Sequence, residues 1–141
     1  MTRLTGGPYS ADQVKARLAT EIANLAEFDF QYWPMFLLEN DDFVGCCGLR
    51  PHELEKGIYE LGYNLRPCYW GKGLAEEAAR GIIAYAFERV RVSALFAGHH
   101  PENAASRRIL QKLGFRYAHD ELYPPTGAIE PVYLLEKPKG A

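Results

Sequence analysis

A chain of 141 residues with 48% hydrophobic and 13% aromatic side chains can build one core but hardly two, so residues 1–141 are expected to form a single domain. Sixteen basic against 18 acidic residues leave a formal charge of −2, without the basic face a nucleic-acid binder needs. No apolar run approaches the ~20 residues that span a bilayer, and residues 1–7 lack the apolar stretch of a secretory signal, which argues against a membrane partner and for the cytoplasm.

In chain order, Ser10, Ala11 and Asp12 can cap a helix running to about Glu27. Its Val14, Leu18, Ile22 and Leu25 recur every three or four residues, an apolar stripe expected to pack. Two apolar runs follow, residues 32–38 and 43–49, and the turn-forming Glu39, Asn40, Asp41 and Asp42 between them signal a hairpin. Cys46 and Cys47 are neighbours in the second run and must face opposite sides, so at least one is a buried filler. With Cys68 the cysteines number three, without C-x-x-C spacing; neither a disulfide framework nor a metal site is suggested.

Residues 58–65, Ile-Tyr-Glu-Leu-Gly-Tyr-Asn-Leu, alternate as a further strand of the same sheet. Trp70-Gly71-Lys72-Gly73 then leads into an amphipathic helix with Leu74, Ala78, Ile82 and Ala86 inward, ending near Arg89. Strand, glycine turn and helix is the order that suits a pyrophosphate. Glycines let a ligand approach the backbone, and the N–H groups of the first helical turn point at the anion. The same pattern is also an ordinary turn. A dinucleotide fingerprint would need G-x-G-x-x-G and a later acidic residue, and a phosphate loop would need G-K followed by Ser or Thr; neither is present.

Residues 92–98 read as a strand followed by His99 and His100. Asn103 can cap a helix from about Ala104 to Leu113, with Ala105, Ile109 and Leu113 on one side and Gly114 as its stop. Residues 115–117 and 132–135 supply late strands across an exposed loop at residues 124–127, and residues 137–141 form a polar tail expected to fray.

Y-W-G-K-G-L-A-E-E-A-A from Tyr69 to Ala79 and N-x-A-S-x-x-I-L-x-K-L-G-F from Asn103 to Phe115 stand in the order and spacing that resemble the GNAT acetyltransferase superfamily. The likeness covers roughly residues 30–135. The E-L-G-Y strand, the Trp before the glycines and the N-A-A-S helix are most similar to the branch that includes the ribosomal-protein N-terminal acetyltransferases. The resemblance implies an α+β, three-layer fold. Its central sheet is mixed but mostly antiparallel, flanked by helices and splayed at the centre to hold acetyl-CoA. It implies transfer of an acetyl group from acetyl-CoA to a primary amine, either a protein N-terminal α-amine or a small molecule, with no metal.

By the same resemblance the backbone of Gly71, Lys72, Gly73, Leu74 and Ala75 takes the pyrophosphate, with Trp70 where many relatives carry Gln or Arg. Tyr63, Asn64 and Leu65 contact the pantetheine arm from the strand ahead, and Asn103 contacts the cofactor as well as capping its helix. An ammonium with a pKa near ~10 must lose a proton before it attacks. Glu60 is the first choice of base, against the ordinary alternative of a solvated strand glutamate, with His99 and His100 in reserve. Ser106 can hydrogen-bond the thioester sulfur or the leaving thiolate. The tyrosine acid that many relatives place four residues on is here Leu110, which puts that mechanism in doubt. A thiol of pKa about ~8.5 leaves tolerably without a strong acid.

The family's first strand and helix have no room ahead of Gly7, so the domain is expected to be abbreviated there, either natively or through a shortened start. An uncovered sheet edge of that kind can pair two copies into a homodimer. The alternative to an enzyme is a non-catalytic acyl-CoA-binding or regulatory module. Asp12, Glu21, Glu27, Asp29, Asp120, Glu121 and Glu130 lie in the stretches expected to shape the acceptor pocket, without identifying the amine.

Overall fold

The computed structural model describes residues 10–137. Helix α1, Ala11–Phe28, opens on the expected cap: Gln13 N–H donates to Ser10 Oγ, and Ser10 N–H donates back to Gln13 Oε1. The hairpin follows as β1, Tyr32–Phe36, two residues shorter than the run read from the sequence, and β2, Phe43–Glu53, four residues longer, while β3, Ile58–Leu65, has the bounds the alternation predicts. Helix α2, Leu74–Tyr85, runs on into a π-helical turn over Ala86–Val90. Strand β4, Ala94–Gly98, helix α3, Ala104–Lys112, and the hairpin β5, Arg116–Tyr123, and β6, Ala128–Glu136, complete the order. The late strands are longer than the sequence predicts. The expected frayed tail from residue 138 and the abbreviated start before Gly7 lie outside the described residues.

Six strands form one sheet in the order β1-β2-β3-β4-β6-β5, antiparallel except for β3 against β4. This is the mixed, mostly antiparallel sheet expected. On one face, Leu49 and Leu61 lie in register across β2 and β3, Leu95 of β4 pairs with Tyr59, and these leucines meet Ala79 of α2 and Leu110 of α3 in the main core. Small side chains on α2 allow that close approach. On α2 the buried residues are Ala75 and Ala79, and the expected Ala86 is buried in the turn that follows; Leu74, Ala78 and Ile82 pack half-buried beside them, so the inward face is as read but wider by the two alanines. On α3 the covered face is Ser106, Leu110 and Leu113, whereas Ala105 is exposed, a correction to the inward face read from the sequence. Cys47 is in the core, and burial pushes its thiol up to about 12; Cys68 is exposed.

Helix α1 corrects the sequence reading more strongly. Val14, Leu18, Ile22 and Leu25 remain 41–61% exposed, and the face that meets the sheet runs through Arg17, Glu21 and Phe28. That face lies roughly a fifth of a turn round the helix from the apolar stripe. The reason is polar. Glu21 Oε1 accepts Tyr32 N–H at 3.1 Å, while Glu21 Oε2 accepts Arg17 Nε–H at 2.6 Å, and this pairing sets the rotation of the helix.

Candidate functional site

Three rungs join β3 to β4: Ile58 with Ala94, Tyr59 with Leu95 and Glu60 with Phe96. Beyond them β3 stays paired with β2 as far as Leu65, and β4 with β6 as far as Gly98, but β3 and β4 no longer pair with each other. The strands part, and a cleft of about 290 Å³ passes between the two faces of the sheet. Both lips carry glycine. At Gly62 the absence of a side chain is required, because an added Cβ would fall 1.7 Å from the Tyr32 hydroxyl lying across the strand.

On the α2–α3 face the cleft brings together Tyr63, Asn103 and Ser106, while Asn64, next along β3, turns to the other face beside Cys46. Asn103 caps α3, its Oδ1 accepting Ser106 N–H at 3.1 Å, and Ser106 is buried. The Tyr63 hydroxyl lies beside Ser106 without hydrogen-bond geometry, and it has no hydrogen-bond partner among the described residues. Burial pushes its phenol up while Ser106 draws it the other way. Leu110, 1% exposed, lines the same wall. A buried hydroxyl without a partner costs free energy unless something else occupies its donor.

The glycine loop is a second surface, outside the lining of the cleft, at the start of α2. Gly71 and Gly73 have φ of +75° and +76°, and a Cβ on either would meet nothing within 4 Å, so the space before the backbone is open. Gly73 gives α2 no side-chain cap, which leaves the first-turn amides, Leu74 and Ala75 among them, for an anion. The side chains around this backbone are engaged elsewhere. Trp70 Nε1–H donates to the Leu65 carbonyl at 2.9 Å, Lys72 Nζ sits 5.6 Å from the Tyr69 ring centre, and Leu65 and Ala75 pack in one small cluster. Any contact from Lys72, Leu65 or Ala75 is therefore chiefly through the main chain.

The opposite face is dense with charge that the sequence reading did not assemble. Register places Arg50 opposite Glu60, and Arg50 Nε lies 3.1 Å from Glu60 Oε1 while Nη2–H donates to the Tyr32 hydroxyl at 3.2 Å. The Tyr32 ring lies between two guanidiniums, Arg17 at 4.6 Å and Arg50 at 5.1 Å, and burial pushes its phenol well up. His52 stacks on Phe96 at 3.8 Å. Glu60 is thus in the cleft as expected, but tied to a cation.

Of the reserve bases, His99 is buried with both ring nitrogens occupied: Nδ1 faces the His100 carbonyl at 2.8 Å, so it carries the proton, and Nε2 meets the Tyr133 hydroxyl at 3.0 Å. His100 Nδ1 accepts Glu102 N–H, leaving Nε2 for the cleft. Tyr32, Arg50 and His52 belong to no short motif. Only the alternation along β2 and β3, once their register is known, would have shown Arg50 facing Glu60. Among the described residues no group of three His, Cys, Asp or Glu side chains is placed to hold a metal ion.

Comparison with known proteins accounts for this geometry. The model of the acetyltransferase (GNAT) domain matches residues 1–116. The uncharacterized N-acetyltransferase p20 of Bacillus licheniformis is 37% identical over 78 residues, 55% of this chain and 44% of that protein, so the match spans about half the length of the relative. The ribosomal-protein-S5-alanine acetyltransferase from Vibrio fischeri superposes with a TM-score of 0.80 at 16% identity, over 99% of this chain and 82% of that one. The structure of yncA from Salmonella typhimurium with its cofactor acetyl-CoA gives 0.78 at 20% identity, over 98% and 81%. The parted parallel strands, the open glycine turn and a domain model covering most of the sequence lead to one assignment: this chain belongs to the GNAT acetyltransferase family.

Proposed function

We propose that this protein is an acetyl-CoA-dependent N-acetyltransferase that acylates a primary amine. The observation that carries the reading is the wedge between β3 and β4, open through the sheet with the unpartnered Tyr63 hydroxyl inside it. Acetyl-CoA fits these residues and supplies an activated thioester. The amides from Gly71 to Ala75 hold the pyrophosphate, and the free edge of β3 at Tyr63, Asn64 and Leu65 pairs with the amide-bearing arm as an added strand would. Asn103 and Ser106 line the wall where the sulfur arrives, with Ser106 and Tyr63 offering hydroxyl protons to the departing thiolate. Glu60 acts on the amine from the other face, directly or through water, with Arg50 fixing its orientation.

The acceptor is a protein N-terminal α-amine in this reading, supported by the likeness of the E-L-G-Y strand and the N-A-A-S helix to the ribosomal-protein branch, and by the Vibrio fischeri fold neighbour. Among the described residues no helix is long and apolar enough to cross a membrane, and with three free cysteines we place the protein in the cytoplasm. Strand β1 ends the sheet without a neighbour on its outer side among the described residues, and we propose that a second copy pairs there; light scattering showing a monomer at all concentrations would refute this.

Leu110, where the resemblance puts a tyrosine, favours the second reading of an acyl-CoA-binding module. Thiol release with a panel of amines, set beside calorimetric binding of acetyl-CoA, separates the two. Release with at least one amine supports the enzyme; tight binding without release for any amine supports the module.

A further inference from the structure

Four polar or charged side chains are buried among the described residues: Glu21, His99, Ser106 and Glu130. Three are accounted for. Glu21 holds Arg17 and the Tyr32 amide, His99 holds Tyr133 and a carbonyl, and Ser106 sits in the first turn of α3 beside Tyr63. Glu130 is 9% exposed and lines the cleft, yet its carboxylate has no hydrogen-bond or salt-bridge partner among the described residues. The carboxylate itself opens into the cleft, and an unpaired charge facing a cleft is the kind of group that collects where chemistry requires it.

Its surroundings show which ligand it suits. Glu130 Oε1 lies 3.9 Å from where a Cβ on Gly98 would stand, placing the carboxylate at the end of β4 where the wedge has opened. From β3, Glu60 opposes its charge; from beyond β4, His100 favours it; from β5, Glu121 faces it in direct register and is itself bridged by His119 at 3.1 Å. Arg17, Arg50 and His52 line the same cleft, but the first two are committed to Glu21 and to Glu60 and Tyr32. The unsatisfied charge is negative, and the complementary ligand is a cation. Burial raises the Glu130 carboxyl above its ordinary range, Glu60 adds to the rise and His100 opposes it, which moves the group towards the affinity a proton acceptor needs.

We infer that Glu130 is the catalytic base: the acceptor's ammonium lodges between the carboxylates of Glu130 and Glu60, and Glu130 takes its proton. The inference rests on the transferase reading above and divides the labour within it, with Glu60, fixed by Arg50, anchoring the amine. In the step, an N–H bond of the ammonium breaks and an O–H bond forms on Glu130. The freed nitrogen pair attacks the thioester carbonyl, the C–N bond forms, and the C–S bond breaks with its electron pair passing to sulfur. The second nitrogen proton goes to the thiolate, and Glu130 returns its proton to water.

The test compares Glu130→Gln with Glu60→Gln, using thiol release across pH with whichever of an alanine-initiated peptide, spermidine or propylamine the parent accepts. Glu130→Gln should lower kcat/KM by about 100-fold or more. It should also abolish the acidic limb of the profile while leaving acetyl-CoA affinity within about twofold and the fold intact by melting. Glu60→Gln should keep that limb. A Glu130→Gln enzyme within about threefold of the parent, acidic limb included, overturns the inference while leaving the transferase reading standing. If the parent binds acetyl-CoA but releases thiol with no amine, the transferase reading fails. Glu130 is then judged by carbon NMR of labelled glutamate: the resonance lost in Glu130→Gln should titrate above the ordinary carboxylate range and move when propylamine is added. An ordinary midpoint insensitive to propylamine overturns the inference.

Discussion

The two faces of the sheet offer different kinds of surface. Towards α2 and α3 the surface is main chain and small residues: two left-handed glycines before a helix without a side-chain cap, an unpaired strand edge, one buried hydroxyl. Towards α1 it is side chains from several elements, with Arg50, Glu60, Tyr32, His52 and Glu130 converging from four strands and a cation contributed by the helix. A cofactor common to a whole family can be held by backbone, whose donors every sequence supplies. An acceptor that differs from enzyme to enzyme has to be read by side chains. In the proposed reading, the cofactor and the acceptor are thus divided across one layer of strands.

The contrast breaks most severely at the glycine loop. Gly73→Glu puts a carboxylate into the open space before α2 on a residue with positive φ, and should abolish acetyl-CoA binding, at least about 100-fold by calorimetry; retained affinity would mean the pyrophosphate lies elsewhere. Next comes Glu60→Gln, which should bind acetyl-CoA normally and transfer about 10- to 100-fold more slowly, because only the acceptor side is touched; unchanged turnover would remove Glu60 from the mechanism.

Stability against pH gives a subtler test. The folded Glu130 carboxyl holds its proton more tightly than the unfolded one, whose ordinary value is 4.5. Its contribution is therefore fully present below that value and is lost as pH rises through the raised one. Glu130→Gln should flatten the melting temperature over this interval and melt above the parent at neutral pH. The smallest effects belong to uncommitted groups. Tyr63→Phe should cost nothing in stability or add up to about 1 kcal/mol, since it deletes a hydroxyl without a partner. Leu18→Lys should shift denaturant stability by less than about 0.5 kcal/mol, against the roughly 2–5 kcal/mol expected of a packed leucine.

The same division explains what could be read from the sequence. The glycine turn, the N-cap at Asn103 and the bounds of β3 are local, each announced by residues adjacent in the chain, and the structure has them where the sequence puts them. The Arg50–Glu60 pair depends on the register of two strands, and the isolation of Glu130 depends on three, so neither can be seen in any window of consecutive residues. Helix α1 shows a further limit. Its apolar period is correctly helical, but Arg17 and Glu21 outbid the leucines for the sheet because Tyr32 offers them a backbone donor and an aromatic face. Periodicity identifies a helix; it does not say which side a buried carboxylate will choose.

The three rungs between β3 and β4 are also a seam between two plates. Strands β1, β2 and β3 are successive in the chain and zip as a meander, and β5 and β6 form a hairpin with β4 laid alongside. The seam instead waits for the long α2 crossover, so it should close late in folding and offer least resistance to shear. A molecule wedged into it would act as a keystone, pressing both plates apart at one end while locking them together, and catalysis would then come with mechanical reinforcement of the weakest line in the fold.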